Sequence, residues 1–187
     1  MLFRSTPAQV KIASAEHASV GQNNSFTIPD LHPEKWDAEH PVLYTVVATL
    51  IDNGIETMKT SRKTGFREVS VQGNALLVSG KPVKLRGACR HDMHPLLGRM
   101  TTSACDLMDV RLAKEANMNF IRTSHYPPSE AFLDYCDEYG IYVEDETAVC
   151  FVGSHRTKAY QASGSTQNDS AFTARYLSQL EEMVQNH

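Results

Sequence analysis

Residues 119–127 read NFIRTSHYP. The run opens with the apolar character of a short buried strand, at Phe120 and Ile121, and then loads Arg122, Thr123, Ser124, His125 and Tyr126 onto its end. A strand that stays inside a core has no use for so many hydrogen-bonding groups at one tip, because each polar group taken from water needs a partner. The run reads as a strand leaving the core and entering a site. Its surroundings fix the fold class. Upstream, residues 103–117 read as a helix, with Ser103 as cap, Asp106 at the third helical position, and Leu107, Val110, Leu112, Ala113 and Ala116 along one face. Downstream, residues 129–139 read as a second helix, capped by Ser129, with Phe132, Leu133 and Cys136 inward and Gly140 as its stop. Residues 141–143 form the next strand and run into Glu144-Asp145-Glu146. Before the first helix, residues 83–90 lead into Arg90-His91-Asp92, with His94 beyond. A polar stretch over 153–170 reads as a loop and 171–185 as a third helix, with Phe172, Tyr176, Leu180, Met183 and Val184 near one face.

Strand, helix, strand, helix, strand is a βα series, whose right-handed crossovers make the strands parallel neighbours. Helices of this length suit an α/β barrel or a doubly wound sheet. No GxGxxG or GxxxxGK[ST] follows any strand, which removes the usual nucleotide-binding reason for an open sheet. A barrel takes eight such units and typically about 250 residues, so three units make only its first part. In both architectures function gathers at the C-terminal ends of the strands. Here those ends carry His91 and Asp92, then Arg122 and His125, then Glu144, Asp145 and Glu146. A single histidine at a strand end is commonly a hydrogen-bonded structural residue, and Arg122 could simply pair with Asp145 or Glu146. Convergence of three strand ends on one rim favours a polar pocket over three separate structural roles. A metal held by His91, His94 and His125 with Asp92 or Glu146 is disfavoured, since HxxH lacks the helical i, i+4 spacing. A Cys89–His91 nucleophile pair is discounted. His, Arg, Tyr and carboxylates without a nucleotide loop suit a neutral polyhydroxylated ligand.

Before residue 73 the chain has a different character. Strands are expected at 10–13, 25–28, 44–51, 55–59 and 65–71, with Asn53-Gly54 as a hairpin turn. A second hairpin is expected at 75–78 and 82–85 around Ser79-Gly80. Short strands separated by turns argue for a β-sandwich, though an immunoglobulin-like domain has seven strands and about 100 residues. The organisation is therefore multidomain, β plus α/β: residues 1–73 as an incomplete sandwich and 74–187 as the start of an α/β domain.

The bulk properties narrow the partners. Hydrophobic residues make up 41% and charged residues 21%, so a packed core is expected. The net charge of −4 comes without a basic block, which argues against a nucleic-acid partner. No apolar run approaches the roughly 18–20 residues of a membrane span, so no membrane partner is expected either. The N-terminus lacks the apolar stretch of a signal peptide and reads as the middle of something longer; compartment is left unassigned. Cys89, Cys105, Cys136 and Cys150 contain no CxxC and read as buried free thiols.

The pattern around the opening stretch resembles glycoside hydrolase family 2, which includes β-galactosidases, β-glucuronidases and β-mannosidases. The resemblance rests on Asn119 through Arg122-Thr123-Ser124-His125-Tyr126-Pro127, then Phe132-Leu133, then Asp137-Glu138-Tyr139-Gly140 and an apolar triplet. It extends through Trp36 with Pro41-Val42-Leu43-Tyr44, Gly65-Phe66-Arg67, Ser79-Gly80-Lys81-Pro82, Arg86-Gly87, and Arg90-His91-Asp92-Met93-His94-Pro95, the last in the form seen in β-galactosidases. The helix ending at Val184-Gln185-Asn186-His187 looks like the family's run into N-H-P. The resemblance implies a partial immunoglobulin-like β-sandwich followed by the first βα units of a (β/α)8 TIM barrel. It implies that His91 and His125 line a sugar-binding subsite, that Arg122 supports it, and that Glu146 is a strand-end carboxylate near it.

Departures from the family pattern shape the functional expectation. Cys89 stands where the family usually has Asn. Thr147-Ala148-Val149-Cys150 replaces the Asn and magnesium ligands of metal-dependent β-galactosidases, so no metal and no cofactor is expected. The DETAV stretch also resembles β-glucuronidases. The family's acid/base lies in an Asn-Glu pair on the fourth strand and its nucleophile later still, both expected beyond His187. No residue of this chain is therefore assigned a catalytic role, and the chain alone is expected to be inactive. The expected reading is a piece of a retaining β-galactosidase, with a β-glucuronidase-type piece or a non-catalytic carbohydrate-binding or complementing module as alternatives. Its partners would be a β-linked sugar and the remainder of the parent chain, and the parent enzyme could be oligomeric. Three strands of a barrel leave an open edge, so a poorly cooperative melt is expected.

Overall fold

The computed structural model describes residues 31–148 and 170–186. The strands expected at 10–13 and 25–28, most of the 153–170 loop, and Cys150 lie outside the described residues. Among the described residues no helix is long and apolar enough to cross a membrane.

Two long strands come first. β1 (Tyr44–Asp52) and β2 (Ile55–Thr64) pair antiparallel, with a register shift at Leu50/Ile51. The turn is the expected Asn53-Gly54, both with positive φ (50° and 80°), the combination that matches the twist of a hairpin. β3 (Val69–Gln72), β4 (Ala75–Val78) and β5 (Lys81–Pro82) form a small antiparallel sheet. The strand read over 65–71 is shorter and later than expected. Phe66 instead makes an isolated bridge to Lys35, and its carbonyl accepts the Trp36 N–H at 2.8 Å. The turn between β3 and β4 contains the 73/74 seam read from the sequence, so one sheet spans it. The strand expected at 82–85 likewise contracts to Lys81–Pro82.

The βα series follows: β6 (Gly87–Arg90), α1 (Ser103–Glu115), β7 (Phe120–Thr123), α2 (Glu130–Tyr139) and β8 (Tyr142–Glu144). β6, β7 and β8 are parallel neighbours in chain order, with Gly87 opposite Phe120 and Phe120 opposite Tyr142. Gly87 permits the close join, since a Cβ there would lie 1.7 Å from the Phe120 carbonyl oxygen. The core beneath the sheet is Val110 and Ala113 of α1, Ile121 of β7, Phe132 and Cys136 of α2, and Ile141.

Local chemistry explains the helix ends. Ser129 caps α2, its hydroxyl accepting the Phe132 N–H at 3.1 Å. Gly140 ends it in the left-handed region, φ 73°, where a side chain would also meet the Ala38 carbonyl oxygen at 2.3 Å. The cap of α1 is Thr102, not Ser103 as expected. Thr102 has the extended backbone that an N-cap requires and Ser103 is already helical, its hydroxyl spent on Tyr135 Oη at 2.7 Å. The segment before β1 clamps α2: Trp36 is buried, donates from Nε1 to the Asp137 carbonyl at 2.9 Å, and meets Tyr142 edge-on at 5.4 Å. Lys114 joins the same corner, donating to the carbonyls of Ala38 and Gly140 at 2.6 and 3.1 Å.

α3 (Ser170–Asn186) occupies the expected helix. Phe172, Tyr176 and Met183 are its partly covered apolar positions, while Leu177, Leu180 and Val184 are exposed. The thiols differ from expectation: Cys136 is buried, Cys105 is half-buried and Cys89 is exposed, all three free. Burial pushes the Cys136 thiol well above its ordinary range.

Candidate functional site

Parallel strands deliver their C-terminal ends to one side of a sheet. β6 ends at Arg90 and hands on to His91; β7 ends at Thr123 and hands on to Ser124-His125; β8 ends at Glu144 and hands on to Asp145-Glu146. All four residues singled out in the sequence meet there. The rings of His91 and His125 stand edge to face, with centroids 5.3 Å apart and planes at 73°. His125 Nδ1 lies 3.0 Å from Glu146 Oε1. Arg122 Nη2 lies 2.7 Å from Glu146 Oε2.

Glu146 is the hinge of this group. A carboxylate only accepts, so the contact with His125 is made by the tautomer that places its N–H at Nδ1. The Glu146 main chain is fixed as well, its N–H donating to the buried Thr123 Oγ1 at 3.1 Å. Of the two partners open to Arg122 in the sequence, Glu146 is the one formed. Asp145 turns to the Thr123 hydroxyl at 3.2 Å, and Glu144 is the second carboxylate near Arg122 at 3.6 Å. Arg122 is not buried as an ion pair would be in a core: its side chain is 35% exposed. Its pKa is raised, first by the bond to the Cys89 sulfur at 3.9 Å and then by the nearby Glu146 charge. Cys89 thus faces the arginine across the β6–β7 register.

Behind the rim lies an ion network that the sequence reading did not identify. Arg90, with a side chain only 9% exposed, reaches Asp106 at 2.6 Å, Asp109 at 2.8 Å and also Asp92. Its guanidinium sits 4.2 Å over the Phe132 ring. Burial opposes the charge, but the Asp109 hydrogen bond and the attraction of Asp92, Asp109 and Asp106 outweigh it and raise the pKa. Asp106, 2% exposed, also accepts from the Ser129 hydroxyl at 2.7 Å. One signal could have found it: Asp106 shares the i, i+4, i+7 stripe of the buried Val110 and Ala113, so an acid lay on the inward face.

His94 does not join the cluster. Its Nδ1 accepts from the Leu96 and Leu97 N–H groups, both at 3.2 Å, and closes the turn after β6. Among the described residues no group of three or more His, Cys, Asp or Glu side chains is placed to hold a metal ion. The rim offers imidazole, guanidinium, carboxylate and phenol groups within reach of one another. That arrangement suits hydrogen bonding to several hydroxyls of one ligand better than it suits a nucleophile–base pair, since Glu146 and Asp92 are already held by arginines.

Comparison with known proteins adds to this geometry. The family model described as "Glycosyl hydrolases family 2, TIM barrel domain" matches residues 69–187, and "Glycosyl hydrolases family 2" matches residues 4–67. A β-galactosidase of Vibrio vulnificus is 35% identical over 168 residues, covering 88% of this chain and 16% of that protein. A β-galactosidase of Pseudoalteromonas haloplanktis is 33% identical over 182 residues, covering 94% of this chain and 17% of that protein. The chain thus spans about a sixth of the length of these relatives. Among solved structures, the apo form of Bacteroides uniformis beta-glucuronidase 3 superposes with a TM-score of 0.57 at 36% identity, over 62% of this chain and 15% of that one. A Bifidobacterium dentium beta-glucuronidase complexed with coumarin-3-O-glucuronide gives a TM-score of 0.59 at 34% identity, over 61% of this chain and 19% of that one.

Proposed function

This chain belongs to glycosyl hydrolase family 2, and from that premise we propose that it is the part of a retaining β-galactosidase that carries one wall of the sugar subsite. The wall is His91, Arg122, His125 and Glu146. β6, β7 and β8 are then the opening strands of a (β/α)8 barrel, and β1 with β2 part of an immunoglobulin-like sandwich. The observation that carries the proposal is the convergence of the two imidazoles, the guanidinium and Glu146 on one rim.

Charge favours a neutral sugar. Arg122 is the cation of the wall, and Glu146 and Glu144 already flank it at 2.7 and 3.6 Å. A glucuronide carboxylate would approach two like charges before it met an unshared guanidinium. The solved β-glucuronidases that superpose on the chain support the second reading, a glucuronide-type site. Turnover is not expected from this chain. A retaining mechanism needs two carboxyls roughly 5–5.5 Å apart across the scissile bond, and the sequence holds no Asn-Glu pair of the fourth-strand kind.

The test has two arms. Nitrophenyl β-galactoside and β-glucuronide incubated with the purified chain should release nitrophenol at the blank rate; turnover above it overturns the assignment of the acids elsewhere. NMR titration with methyl β-D-galactoside should shift the His91 and His125 ring signals, and His125→Ala should abolish the shift. Tighter binding of methyl β-D-glucuronide would transfer the reading to the second sugar.

A further inference from the structure

His91 is exposed, and the described contact of its ring is with His125. The position of an exposed imidazole depends strongly on its chain neighbours, and here both neighbours are anchored. We propose that Arg90 and Asp92 form a positioning pair that sets the His91 ring against His125. The inference rests on the reading of those histidines as sugar-subsite residues, and concerns what places them.

Arg90 is pinned on every side. Its carbonyl accepts the Ser124 N–H at 2.8 Å, tying the β6 tip to the residue before His125. Its guanidinium spends Nε on Asp109 and Nη2 on Asp106, and stacks on Phe132. That leaves Nη1 for Asp92. A planar fork already fixed at two points offers the third partner one direction. Asp92 is held from the other side too, its N–H donating to Tyr126 Oη at 3.0 Å. Tyr126 adjoins His125, so the residues flanking one imidazole are bonded to the residues flanking the other. The buried charge of Arg90 retains Asp106 and Asp109 if Asp92 is neutralised, and Asp92 lies at the edge of the network, 17% exposed. Removing its charge should release His91 without dismantling the helices.

The experiment uses the full 187-residue chain with labelled histidine. Wild type should show ring-to-ring NOEs between His91 and His125. Asp92→Asn should lose them, with an unchanged far-UV circular dichroism spectrum and methyl β-D-galactoside binding weaker by about tenfold, the scale of one charge-assisted hydrogen bond. Asp92→Glu should restore both. If Asp92→Asn fails to fold, Tyr126→Phe, which removes only the hydroxyl accepting the Asp92 N–H, is read in its place. Ring NOEs that survive in either folded variant, or that are missing from wild type, overturn the proposal. Absence of galactoside binding in wild type defeats the sugar reading instead, and the ring contact still decides the positioning.

Discussion

Ile121 in β7 is 4% exposed and Ile51 in β1 is 62% exposed. Both are strand isoleucines, Ile121 second in β7 and Ile51 next to last in β1, and apolar character alone treats them alike. The difference is what lies over them. α1 and α2 seal β7 with Val110, Phe132 and Cys136. β1 and β2 form a two-stranded sheet in which Val46, Val47, Leu50, Ile51, Ile55 and Met58 are all at least half exposed. Among the described residues the βα region carries its own core, and the hairpin carries strand chemistry without one.

The largest expected effect follows from that contrast. Phe132→Ala empties a fully buried position that also stacks under Arg90. It should cost about 3–5 kcal/mol in urea unfolding followed by circular dichroism. Val46→Ala in the hairpin should change stability by less than about 0.5 kcal/mol. Equal costs would mean that the hairpin is as well covered in solution as the βα core.

Next comes the charge network that holds the core to the rim. Asp106→Ala strips Arg90 of one carboxylate and the α2 cap Ser129 of its acceptor. Breaking a buried pair from one side leaves an under-compensated charge, so the cost should be about 3 kcal/mol. A loss below about 1 kcal/mol would show that Asp92 and Asp109 suffice for Arg90. That outcome would make the network a surface feature, closer in kind to the hairpin than to the core.

The same contrast governs what the sequence disclosed. Elements fixed by neighbours a few residues away were legible: the Asn53-Gly54 turn, the Ser129 cap, the Gly140 stop and the parallel order of β6, β7 and β8. Convergence of His91, Arg122, His125 and Glu146 could also be read, because each follows a strand end and parallel strands share a rim. Partnerships fixed by folding were not. Nothing local says that Arg90 takes Asp106 rather than Asp145, or that Trp36 donates to Asp137 across the chain. Thr102 and Ser103 are equal candidates for a cap until backbone angles separate them. The exposure of β1 has the same reason: apolar composition shows that a strand can be covered, not by what.

Asp137 sharpens the comparison through pH. It lies where the Trp36 segment meets α2, with Arg67 at 3.5 Å. Burial raises its carboxyl above the ordinary aspartate range despite that arginine. A raised folded pKa means that the folded chain holds the proton more tightly than the unfolded chain. The Asp137 contribution to stability is therefore most favourable below the ordinary aspartate value and is lost as pH rises through the raised folded value. Exposed Glu68 runs the other way, since the Lys35 ammonium lowers its carboxyl, and that stabilisation fades as the medium is acidified. Asp137→Asn should therefore gain on wild type as pH rises from the ordinary aspartate value through the raised one. Urea midpoints across that window check it, and a constant difference would remove the burial argument.

The smallest effect concerns the link between the two regions. Lys63 of β2 reaches Glu138 of α2 at 2.5 Å, with side chains 58% and 35% exposed. An exposed pair of this kind holds two flexible side chains in a medium that screens them, so its coupling in a double-mutant cycle should be about 0.2–1 kcal/mol and fall with added salt. Lys63→Ala, Glu138→Ala and the double variant give that number from three unfolding curves. A coupling well above it, insensitive to salt, would mean that the hairpin is locked to α2 and that the two regions unfold as one body. A coupling in the expected range leaves the Trp36 segment, with its buried indole and its bond to the Asp137 carbonyl, as the stronger join between the strands of the first half and the core of the second.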